Sequence, residues 1–374
     1  MGTFLKTVDN AASVRLTFGA PPDNLTPLIQ AACFKELTIM KWTLVLALSV
    51  APVVTQPMMA ASVRIIQTNS AGDDVSLIDP ATNKVVGTIK GIEVNHGATA
   101  APDGSRYYIS NESRSTLEVV DTKTLKIIRS IPLTAHPNNI SISKDGKRVY
   151  VAIARAPGAV DVIDTASMER VKTIPIKGAV HNTYVTPDGR FVIAGSIAGK
   201  TITAIDQKTE EPVWVMTMDA GIRPMAFHTN PDGSTKWLFA QLSDFNGFAV
   251  IDFATHKEIN RITLPDLPAG KAKYMFGGNE SHGMAVTPDQ KTLVVNSRLN
   301  SSVYMYSLPD LKLLGSVEVG KSPDWVTLTP DGKMAYVACA ASDYVSVVDV
   351  AGRREVAKIP VGQVPKRNST AVLP

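Results

Sequence analysis

Cysteine is nearly missing from this chain: 374 residues include two, Cys33 and Cys339. With no C-x-x-C and no C-x-x-C-H, the sequence excludes a zinc ribbon, a disulfide framework and covalent haem attachment. Basic runs are missing as well. The formal net charge is +4 and no stripe of lysine or arginine alternates with aromatics, so the footprint of a nucleic-acid binder is absent and no nucleic-acid partner is expected. There is no H-E-x-x-H, no phosphate-cradling glycine loop and no Ser-His-Asp order, which sets aside zinc-protease, nucleotide and common serine-hydrolase chemistry. Long hydrophobic runs are lacking, apart from one near the N-terminus.

That run occupies residues 42–54, follows Met40 and Lys41, and gives way to small residues at Ala60 and Ala61. This is the layout of a secretory signal peptide. It is too short to span a bilayer, so no membrane span is expected in the mature protein. Residues 1–39 show no periodicity and read as unstructured sequence upstream of the true start at Met40. Residues 40–61 read as the signal, and residues 62–374 as the exported, folded protein, periplasmic or secreted.

What the chain does have is a repeat. A turn aspartate recurs at Asp103, Asp145, Asp188, Asp232, Asp289 and Asp331, in steps of 42, 43, 44, 57 and 42 residues. A period in this range decides architecture before any local reading does. Each unit reads as four short strands: an apolar run before P-D-G, a Tyr/Val-rich run after it, a V-x-V-I-D run such as "VDVID", and an alternating run such as "RVKTIPI". Pro, Gly and Asp mark the joins as turns. Four-stranded units repeated radially predict an all-β fold, a single seven-bladed β-propeller. The segment after the signal supplies three strands of one blade, and the C-terminal "VGQVPKRNSTAVLP" supplies the fourth, closing the ring.

Units such as "SPDWVTLTPDGKMAYVACAASDYVSVVDVAGRREVAKIPVG", with second strands "KRVYVA" and "KMAYVA", resemble YVTN-type propeller repeats from about Ser62 to the C-terminus. The wider group includes lactonase-like enzymes and the propellers of nitrous oxide reductase and of cd-type nitrite reductases. The resemblance implies the fold and leaves function open among those classes.

In propellers of this type the first strand of each repeat is innermost, so residues seven before the turn aspartate should ring the channel mouth. They are Lys366, His96, Asn138, His181, Met225, His282 and Asp324. Polar neighbours include His136, Asn182, Arg223, Glu280 and Arg367, with Asn111, Glu112 and Arg298 at the inner ends of the second strands. Three histidines on alternate blades form a candidate metal set, because neutral imidazoles suit zinc or copper. The cofactor expectation is thus a divalent transition metal or none. The candidate ligand-binding residues are Asn111, Asn138, Arg223, Met225, Glu280, Arg298, Asp324 and Lys366. The long step leaves an extra segment within residues 265–280, with Lys271, Tyr274 and Phe276, long enough to act as a lid. The expected function is an exported, monomeric binding protein whose channel mouth takes a small molecule, metal or protein partner. A metal-dependent hydrolase or isomerase of lactonase type is the alternative, and a copper- or haem-linked redox accessory protein a third reading. With one aspartate in the ring, the sequence leans away from an enzyme.

Overall fold

A computed structural model describes residues 62–267, 271, 273 and 280–373. The expected leader, residues 1–61, and most of the expected lid lie outside the described residues. Seven four-stranded antiparallel sheets succeed one another. Six are simple meanders. The seventh is composite, with Pro365–Leu373 pairing against Ser62–Asn69 ahead of Asp74–Asp79 and Lys84–Lys90. This composite sheet is blade one. The other innermost strands are Asn95–Ala100 in blade two, Pro137–Ile142 in three, Val180–Val185 in four, Ile222–Thr229 in five, Ser281–Val286 in six and Pro323–Leu328 in seven. Each innermost strand packs beside the next, and Pro365–Leu373 meets both Pro323–Leu328 and Asn95–Ala100, so the ring is closed. Among the described residues no helix is long and apolar enough to cross a membrane.

Local chemistry explains the blades. At the P-D-G corner the Ser105 amide and hydroxyl both donate to Asp103 Oδ1, at 2.9 and 2.7 Å, and Gly104 takes a φ of 70°. At the opposite end the Thr124 amide and hydroxyl donate to Asp121 Oδ1 at 2.8 Å. These aspartates therefore satisfy turn backbone. Second and third strands such as Arg148–Ile153 and Ala159–Asp164 are buried along nearly their whole length, because a blade is covered on both faces by its neighbours. Outermost strands are largely exposed. Each of four of them buries a single isoleucine: Ile89, Ile131, Ile174 and Ile359.

The core is divided among the blade interfaces. Tyr108, Leu117 and Ile131 of blade two pack on Ile140, Val149 and Val151 of blade three. At the closing interface Ile65 and Ile78 of blade one pack on Tyr336, Val345 and Val347 of blade seven.

Candidate functional site

The innermost strand of every blade is interrupted where it enters the channel. In blade two the ladder runs from Asn95 opposite Asn111 to Ala98 opposite Ile109, leaving His96 and Gly97 unpaired. The same skip leaves out Asn138 and Asn139 in blade three, His181 in four, His282 and Gly283 in six, Asp324 in seven and Lys366 in one. A bulge bends the strand and re-aims the side chain it carries. Here it turns one residue per blade out of the sheet at the mouth.

Blade five departs from the count. Its skip falls between Ile222 and Met225, so Arg223 holds the bulge and Met225 pairs with Ala240. Both of its inner strands, Ile222–Thr229 and Thr235–Leu242, have 8 residues where blade two has 6. Counting seven back from the turn therefore stops two residues short. Met225, expected at the mouth, is 1% exposed and packs with Ile193, Ile222 and Leu242 between blades four and five.

Arg367, next to the bulge of blade one, reaches across the channel. Its Nη1 donates to Asn182 Oδ1 at 3.1 Å and its Nη2 to Asn138 Oδ1 at 2.5 Å, with His181 Nε2 3.4 Å from Nη2. The guanidinium also lies over the Trp325 ring, 4.2 Å from its centre, a cation–π contact. Arg367 is 2% exposed, its Nε has no hydrogen-bond partner, and among the described residues no carboxylate makes an ion pair with it. Burial lowers its pKa to about 10.

The imidazoles are differently engaged. His181 and His282 meet edge to face with ring centres 5.4 Å apart. His282 Nδ1 lies 2.7 Å from the Asp324 carbonyl, which can only accept, so the proton is on Nδ1 and the lone pair on Nε2. Gly283 makes that contact possible: at φ +82° it lets the Asp324 carbonyl come within 2.7 Å of where a Cβ would stand. His96 instead turns its Nδ1 onto Glu112 Oε1, and the other oxygen of Glu112 takes His136 Nε2 at 3.0 Å. Burial, and then the Arg367 charge, lower His96 to about 4 and hold His181 well below the usual imidazole range. Burial likewise depresses His282, against the pull of Asp324. All three are neutral at pH 7. Burial alone would raise Glu112, but its hydrogen bonds with the two imidazoles outweigh this and hold it at about 2. Asp324 is also buried, which alone would raise it, yet its pKa is low because of its coupling to His282 and the charge of Arg298, whose Nε is 3.0 Å from Oδ1; at pH 7, with His282 neutral, Arg298 is the charged partner.

Fixed charge in the channel thus comes from Arg367, Arg223, Arg298 and Lys366 against Glu112 and Asp324. The excess is positive. Among the described residues no three His, Cys, Asp or Glu side chains are grouped to hold a metal ion. The three ring histidines do not fit one as placed, because a guanidinium stands at His181 and His96 is held by a carboxylate.

Sequence comparison adds a family. A family profile described as a lactonase, seven-bladed β-propeller, matches residues 163–359. The chain belongs to this family. A YNCE-like β-propeller profile matches residues 72–183. No curated protein sequence matches the chain. Among solved structures, hydrazine synthase of Kuenenia stuttgartiensis is 25% identical, with a TM-score of 0.66 over 76% of this chain and 92% of its own. The periplasmic gluconolactonase of Pseudomonas aeruginosa is 19% identical, with a TM-score of 0.65 over 84% of this chain and 100% of its own. The dihydro-heme d1 dehydrogenase NirN is 17% identical, with a TM-score of 0.56 over 82% of this chain and 74% of its own. The last two likenesses are of fold.

In this lactonase-type propeller the sequence-derived residues fall into three groups. Asn138, Arg223, Asp324 and Lys366, with the three histidines, hold the bulges, and Arg298 binds Asp324 and Ser322. Asn111 serves its own hairpin, donating to Glu118 Oε1 at 3.3 Å and accepting the Arg114 amide at 3.1 Å. Glu280 is seen through its backbone, whose carbonyl accepts the Leu299 amide at 2.9 Å. The two residues around which the site is built, Arg367 and Glu112, appear in the sequence only as neighbours of counted positions. Their signal is an ionisable residue beside a bulge position.

Proposed function

We propose that the channel binds a small organic anion at Arg367. One observation carries this reading: a fully buried guanidinium whose two donated hydrogen bonds both go to neutral amide oxygens. Removing a cation from water without a counter-ion costs several kcal/mol, which amide oxygens and an aromatic face offset only in part. His181 points to the same missing acceptor. Its Nδ1 takes the Asn182 amide hydrogen at 2.5 Å, so the neutral ring carries its proton on Nε2, facing the Arg367 donor. An oxygen anion between them would accept from both. Titration calorimetry with small carboxylates should show binding to the wild type, and Arg367→Gln should weaken it at least about tenfold. Absence of binding, or unchanged affinity in the variant, overturns the reading.

Family membership and the Glu112–His96 pair favour a second reading, hydrolysis of a cyclic ester. His96 Nε2 has no hydrogen-bond partner among the described residues, and Glu112 on the other nitrogen would leave it as the lone pair. An imidazole so oriented can take a proton from water while Arg367 receives the developing oxyanion. Opening of a sugar lactone followed by acid release in a pH-stat should exceed the spontaneous rate and fall at least about a hundredfold in Glu112→Gln. A wild-type rate equal to buffer alone ends this reading. Export through residues 40–61 belongs to the same proposal, supported by the short apolar run after Lys41. Amino-terminal sequencing of protein from its own host, together with its zinc and copper content, tests location and the metal expectation.

A further inference from the structure

We infer that the ligand of this channel carries two carboxylates, one held by Arg367 with His181 and the other by Arg223. The inference rests on the reading that the channel takes an anion. Both channel carboxylates are already engaged. Asp324 has Arg298 at 3.0 Å and the imidazole of His282 at 3.8 Å, and Glu112 has His96 and His136. Two guanidiniums are left over. Arg223, at the bulge of blade five, makes one side-chain hydrogen bond among the described residues, Nε to Ser243 Oγ at 3.0 Å, and no ion pair. Its outer nitrogens remain for a ligand. A buried or half-buried planar fork without a carboxylate matches a carboxylate in a bidentate fashion, which a compact ammonium would not.

The two groups can serve one ligand because Arg223 holds the bulge of blade five, beside the blade-four bulge of His181 that Arg367 reaches, and they differ in depth. His181 feels the charges of both Arg367 and Arg223. Arg367 is sealed at 2% exposure, whereas Arg223 is half-buried and opens into a rim cavity with Lys200, Gly221, Ser243 and Asp244. The carboxylates of that rim leave the outer nitrogens of Arg223 unpaired, although the Asp244 charge acts on the guanidinium. Asp219 of the same cavity is held by Arg261 at 2.9 Å, Lys200 donates to the Asp219 carbonyl at 2.9 Å, and exposed Asp244 makes no ion pair with Arg223. A short dicarboxylate would enter past Arg223, place its leading group at Arg367 and leave its trailing group at the rim.

The test is calorimetric titration of the full chain, at constant ionic strength, with succinate, glutarate and adipate against monocarboxylates of equal length. In the wild type the best diacid should bind at least about tenfold more tightly than its monoacid, and Arg223→Gln should bring that ratio to about one while Arg223→Lys keeps part of it. Equal affinities for diacid and monoacid in the wild type overturn the inference, as does a ratio unchanged in Arg223→Gln. Should that variant fail to fold, the wild-type comparison alone decides. Binding of no carboxylate at all is a separate result, and it defeats the anion reading on which this one rests.

Discussion

Three buried neutral histidines give the site its acid sensitivity. His96 is depressed to about 4, so between that value and the ordinary imidazole range the unfolded chain binds a proton that the folded chain refuses. Stability is therefore full above pH 7 and lost as pH falls. His96 alone should account for about 2 kcal/mol between pH 7 and pH 5. Urea melts at the two pH values should show the drop, and His96→Asn should flatten part of it. A bound anion should work the other way by raising the imidazole pKa values, so affinity should grow on acidification. At this scale the sequence was partly legible. Histidines at a shared offset identified ring positions, because the offset follows the chain. It could not say where each imidazole would turn, since Glu112 captures His96 from a neighbouring strand and Arg367 crosses the channel to His181.

Strands were legible where turn chemistry brackets them, and less so where their length varies. Asp, Gly and Pro mark both ends of a blade, but nothing in "MAFHTNPDGSTKWLFAQL" announces that both inner strands of blade five are longer, which is what moved the bulge from Met225 to Arg223. A bulge arises from pairing between strands, so no residue within one strand encodes it alone. Glycine marks two of them. Gly283 at φ +82° lies against the neighbouring strand, and its replacement by alanine would drive a Cβ to within 2.7 Å of the Asp324 carbonyl and 2.8 Å of Trp325 Cα. Gly283→Ala should cost roughly 2 to 4 kcal/mol in chemical denaturation and displace the carbonyl that fixes the His282 tautomer. A variant as stable as the wild type would mean that the strand relaxes freely there.

The whole ring depends on one joint. Strand Pro365–Leu373 pairs along Ser62–Asn69 and covers the edge that would otherwise recruit foreign strands. Removing residues 365–374 should lower the thermal midpoint by on the order of 10 °C or more and produce aggregates on size-exclusion chromatography. Unchanged melting would show that the other six blades hold the ring unaided. The joint also orders events in time. Arg367 stands in a strand made after all the others of the ring, while its partners Asn138, His181 and Asn182 belong to blades completed much earlier. A nascent chain holding six complete blades therefore lacks the one guanidinium that bridges Asn138 and Asn182, although Arg223 is already in place. An anion site at Arg367 would arrive only with the closing strand, so capture of a ligand there would report that the ring has closed.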